Sequence, residues 1–68
     1  MASKARTEAA AKGASYVQRV RWAGIGSVRY LHRAMLAEGG GYREGAVYEH
    51  RRDALRQARE WDERRATA

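Results

Sequence analysis

The chain has no cysteine, no proline and no phenylalanine in its 68 residues. Without cysteine there are no disulfides and no thiolate metal sites to brace a small core. Two histidines alone make a poor structural zinc site, so no metal and no cofactor is expected. A long apolar run is missing as well. The stretch 22–28 is uncharged for only seven residues, against about 20 for a membrane-spanning helix. The start, MASKARTEAAAKG, carries basic residues but no apolar segment of a secretory signal. The expectation is a soluble, cytoplasmic protein.

Acid is scarce in one half. Residues 1–37 hold seven Lys and Arg against a single acid, Glu8, whereas residues 38–68 hold seven Arg against seven acids. The whole net charge of +6 therefore lies in the first half. A one-sided excess of this kind is what a surface facing an anionic partner carries. Twelve of the fourteen basic residues are arginine, whose planar fork suits carboxylate or phosphate.

What is present favours helix. Ala, Arg and Glu dominate, all good helix formers. Residues 1–14 read as a flexible or partly helical arm. Ser15 followed by Gln18 has the form of a capping box. From there Val17, Val20, Gly24, Val28, Leu31 and Met35 recur at spacings of three and four, as one face of a helix requires. A competing reading breaks this helix at Gly24, Ile25 and Gly26, with Ser27 capping a second short one. Because the apolar face stays in phase, one helix over residues 15–37 is the preferred expectation, and Gly24 then reads as a point of close helix approach. Gly39, Gly40 and Gly41 end it. A second helix is expected over residues 46–65, with Val47, Ala54, Leu55, Ala58 and Trp61 as its apolar stripe and Arg51 beside it. Glu38 and Glu44 are candidate partners for Arg51.

The resulting expectation is an all-α fold: an antiparallel helical hairpin over residues 15–68, dimerising into a four-helix bundle. So short a chain buries little core by itself. Gly24, Ile25, His32 and Leu36, left over on the first helix, are the expected homodimer interface.

The chemical motifs are thin. Gly24, Gly26 and Arg29 begin like a dinucleotide-binding loop, but arginine stands where the third glycine belongs and no strand is expected before it. Gly40 and Gly45 frame a phosphate loop without its lysine or hydroxyl. His32 and His50 lie on different elements with no nucleophile at readable spacing. A helix-turn-helix around Gly24 places charged Arg33 near an anchor position that should be apolar. No enzyme activity is expected.

The sharpest signal is the set Arg19, Trp22, Arg29, Tyr30 and Arg33, assigned here to one exposed face of the first helix. Arginines and aromatics together are leading residues of protein interfaces. They also bind phosphates while stacking on bases. The expectation is a small regulatory or adaptor protein that docks an acidic protein partner through this face, with non-sequence-specific nucleic-acid binding as the alternative.

Overall fold

A computed structural model describes residues 4–67. Its elements run α1 (Lys4–Lys12), β1 (Tyr16–Gly24), β2 (Ser27–Glu38), β3 (Gly41–Tyr48) and α2 (Arg51–Thr67). The three strands form one antiparallel sheet in the order β1-β2-β3. The all-α helical hairpin is therefore overturned, and with it the four-helix bundle. The stretch expected to be the first long helix is a pair of strands.

Two glycine turns account for this. Gly24 pairs with Ser27 across a two-residue link, Ile25 and Gly26. Gly26 has φ +76°, while no residue other than glycine among those described has positive φ. A positive φ at the second central residue is the demand of a type II turn. The second link, Gly39 and Gly40, has φ +59° and +82°. Two successive positive values are the signature of the type I′ turn, whose twist matches that of paired strands. The preferred unbroken helix over residues 15–37 is overturned; the competing break at Gly24, Ile25 and Gly26 has the right location, but it joins strands, not helices.

Helix α1 ends at Gly13, with φ +65°. The Gly13 and Ala14 amides donate to the Ala10 and Ala9 carbonyls at 3.2 and 2.9 Å, the bond pattern of a Schellman cap. Ser15 therefore begins no helix. Its amide and hydroxyl donate to the Asp62 carboxylate at 3.0 and 2.8 Å, and its Oγ accepts from the Ala37 amide at 3.1 Å. Arg65 completes this clamp by donating to the carbonyls of Ala37 and Gly13 at 3.0 and 2.6 Å. The end of α2 is thereby tied to the start of β1 and the end of β2.

The two helices lie on opposite faces of the sheet. Strand register places Tyr16, Met35 and Tyr42 on one face, where Ala9 of α1 packs on them. Tyr16 and Tyr42 meet edge to face, with ring centroids 4.9 Å apart. Val17, Ala34 and Tyr48 lie on the other face, beneath α2, and the Tyr48 hydroxyl donates to Gln57 at 3.4 Å. Ala34, Ala54 and Ala58 are buried there. Between Arg33 and Met35 the register of β3 slips, so that Gly45 and Ala46 together face Ala34. This is a β-bulge. The Trp61 ring sits where a side chain on Gly45 would point.

The second helix begins at Arg51, not Ala46, because Val47 and Tyr48 complete β3. No helix among the described residues is long and apolar enough to cross a membrane.

Candidate functional site

Strand β3 joins β2 only over His32 to Glu38. From Ser27 to Leu31, β2 has β1 as its single neighbour. The sheet therefore continues beyond its packed base as a two-stranded ribbon, closed at the tip by Ile25 and Gly26. Every residue from 21 to 30 is exposed. Five residues of strand at about 3.3 Å each extend this arm by roughly 17 Å, within overall dimensions of 45 × 25 × 16 Å.

Successive side chains of a strand point to opposite faces, and the register sorts the arm accordingly. Val20, Trp22, Arg29 and Leu31 share the face away from α2. Arg21, Ala23, Val28 and Tyr30 share the other, with Arg19 on the same face at the arm's foot, opposite His32. Trp22 is 57% exposed, Tyr30 48% and Ile25 fully exposed at the tip. The Arg19 guanidinium lies 4.5 Å from the centre of the Tyr30 ring. That contact holds a long side chain extended along the arm without neutralising it.

No carboxylate lies on the arm, since the sequence has no acid between Glu8 and Glu38. Among the described residues, Arg21 and Arg29 have no hydrogen-bond or ion-pair partner, in contrast to the paired Arg33, Arg43, Arg56 and Arg65. Part of the first-half charge excess, Arg21 and Arg29 with Arg19 at the foot, thus takes physical form as a basic projection.

The five residues singled out from the sequence all lie on β1 and β2, but not on one face of a helix. Trp22, Arg29 and Arg33 fall on one side of the ribbon and Arg19 and Tyr30 on the other. Arg33 stands at the base, where it pairs with Glu44 at 3.0 Å. Arg21 belongs with the set and was not in it. Reading the segment with a period of two puts Arg21 beside Arg19, whereas the helical wheel separates them.

The four residues expected at a homodimer seam do not form one surface. Gly24 and Ile25 are at the arm's tip. A side chain on Gly24 would meet only the Ser27 hydroxyl, at 3.8 Å, so no close helix approach explains that glycine. His32 and Leu36 are partly buried at the base, on the α2 side. Nor does Arg51 pair with Glu38 or Glu44: Glu38 binds Arg43 at 3.4 Å, and Glu44 binds Arg33.

Comparison with known protein families, curated proteins and solved structures gave no match. The functional reading rests on the chain's own geometry.

Proposed function

We propose that this protein binds nucleic acid through the β1–β2 arm, without catalysis. The observation that carries this is a narrow ribbon, exposed on both faces, with arginines on both faces and no acid on either. Docking on a flat or one-sided partner uses one face. A nucleic-acid groove has two walls, each lined by phosphates, and the major groove of duplex DNA admits a two-stranded β-ribbon. Arg19 and Arg21 address one wall and Arg29 the other, while Trp22 and Tyr30 offer rings for contact with bases or sugars. The order of the two expected functions is reversed for this reason. An acidic protein partner is the second reading, favoured by the apolar tip, where Ile25 and half-exposed Val28 stand free. Any self-association must use a surface other than a four-helix seam.

Salt titration of binding to a labelled DNA duplex tests the proposal. Phosphate contacts release counterions, so the logarithm of affinity should fall with the logarithm of salt by about 0.9 per contacted phosphate. Arg21 and Arg29 on the arm with Arg19 at its foot give an expected slope of about −2.7 on that basis. Replacing Arg21 and Arg29 together by alanine should remove about two-thirds of the slope while leaving the melting temperature unchanged. Salt-independent binding, or binding untouched by that double replacement and by Trp22→Ala, overturns the proposal. Capture of an acidic protein by the same arm, with no duplex binding, establishes the second reading in its place.

A further inference from the structure

We infer that the depression at the free edge of β1, between α1 and the start of α2, is a binding site for a phosphate group. It lies outside the arm, with Arg19 at the arm's foot between the two. Its volume is about 690 Å³, and its polar lining is Lys4, Gln18, Arg19, His32 and Arg51. Four elements, α1, β1, β2 and α2, thus bring three full cations, an imidazole and an amide to one concavity. No carboxylate lines it. Of its cations, Lys4 meets Glu8 at 3.9 Å in a pair open to solvent on both sides, with 89% and 63% of the two side chains exposed. Such a pair neutralises little.

A further observation points to an anion. Arg51 opens a 17-residue helix, the end at which the backbone dipole disfavours a cation and favours an anion. Among the described residues it has no hydrogen-bond or ion-pair partner to offset this. His32 lines the same depression, but its Nδ1 is buried from solvent, so the contacts open to an anion there are those of Lys4, Gln18, Arg19 and Arg51. A phosphate group has several strong acceptor oxygens for arginine forks, an ammonium group and an amide at once. Its charge would remove the mutual repulsion of Lys4, Arg19 and Arg51.

The phosphate has two possible sources. In a nucleic-acid complex it is a backbone diester flanking the segment held by the arm. Otherwise it is free phosphate. The first source rests on the function proposed above; the site itself does not.

The test is nuclear magnetic resonance on the full chain, titrated with inorganic phosphate and, as a control, with sodium chloride at matched ionic strength. Phosphate should shift the His32 ring and the Arg19 and Arg51 side-chain signals saturably, and chloride should not. Arg51→Gln should weaken phosphate binding about tenfold, the loss of one charge-assisted contact. Lys4→Gln, a solvent-exposed change at the far side of the depression, should weaken it less. Equal shifts with chloride, or a dissociation constant for phosphate unchanged in both variants, overturn the inference. Duplex binding separates the sources: a parallel loss in Arg51→Gln assigns the phosphate to the nucleic-acid backbone, and an unchanged duplex affinity assigns it to free phosphate. Phosphate saturation with no duplex binding retires the arm's proposed function while the site stands.

Discussion

At the base of the sheet, Ala34 and Met35 are neighbours in sequence and both are buried. In the arm, Arg21 and Trp22 are neighbours and both are exposed. Neither pair shows the alternation expected of a strand with one wet face, and for opposite reasons. The base has a helix on each face, α1 over Tyr16 and Met35 and α2 over Ala34. The arm has a helix on neither. Packing constrains the base, so its residues are small or apolar and fixed by contacts: Ala34, Ala54, Ala58, Tyr16. None of the described elements packs on residues 21–30, so their composition is free of that demand, and what they carry is arginine and exposed aromatic rings. Buried packing and unpartnered arginine are thus segregated along a single pair of strands.

That segregation can be tested first where the base is tightest. A side chain on Gly45 would strike the Trp61 ring and lie 2.7 Å from the Ala34 carbonyl oxygen. The carbonyl belongs to the bulged ladder and cannot turn aside. Gly45→Ala should therefore destabilise the fold by about 2–3 kcal/mol, an overpacking cost. The measurement is chemical denaturation. At temperatures where the variant remains folded, its salt-dependent duplex binding should match the parent's. A neutral result would mean that Trp61 is not seated on the bulge and that α2 is not what fixes the base.

A smaller effect is expected at the clamp. Asp62 accepts from the Ser15 amide and hydroxyl and pairs with Arg65 at 3.2 Å. Its side chain is 28% exposed, so water replaces part of what is lost. Asp62→Ala should cost about 1–2 kcal/mol, and Ser15→Ala should lose most of its own effect in the Asp62→Ala background, because both act through one network. Additive losses in a double-mutant cycle would show that the clamp does not act as a unit.

The same contrast explains what could be read from the sequence. The second helix was legible: Ala54 and Ala58 from its expected stripe are buried, and Leu55 and Trp61 are partly so. Both chain reversals were marked by glycine, at Gly24 to Gly26 and at Gly39 to Gly41. The strands between them were not legible. Val17, Val20, Val28, Leu31 and Met35 fall at helical spacings only because Gly24 fills the gap between two separate strands. A period of two is hidden at the base, where both faces are covered, and in the arm, where neither is. Most of the arm's functional candidates were named, since arginine and aromatic content survives a wrong choice of element. Their division between two faces, and the place of Arg21, depend on the strand period and were lost with it.

The weakest expected effect separates base from arm by pH. Burial of Tyr16 beneath α1 raises its hydroxyl above the ordinary tyrosine value of 10.0; nearby Arg6 partly opposes this, and Tyr42 adds to it. The raised value means that the folded chain holds this proton more tightly than the unfolded one. By linkage, the associated stability is fully present below about pH 10, the unfolded value. It is lost as pH rises through the higher folded value, where ionising Tyr16 places a charge against Ala9 and Met35. Denaturation midpoints taken across that range should therefore fall more steeply for the parent than for Tyr16→Phe, which cannot ionise. Parallel curves would show that Tyr16 is as solvated as a residue of the arm, and that α1 does not cover this face of the sheet in solution.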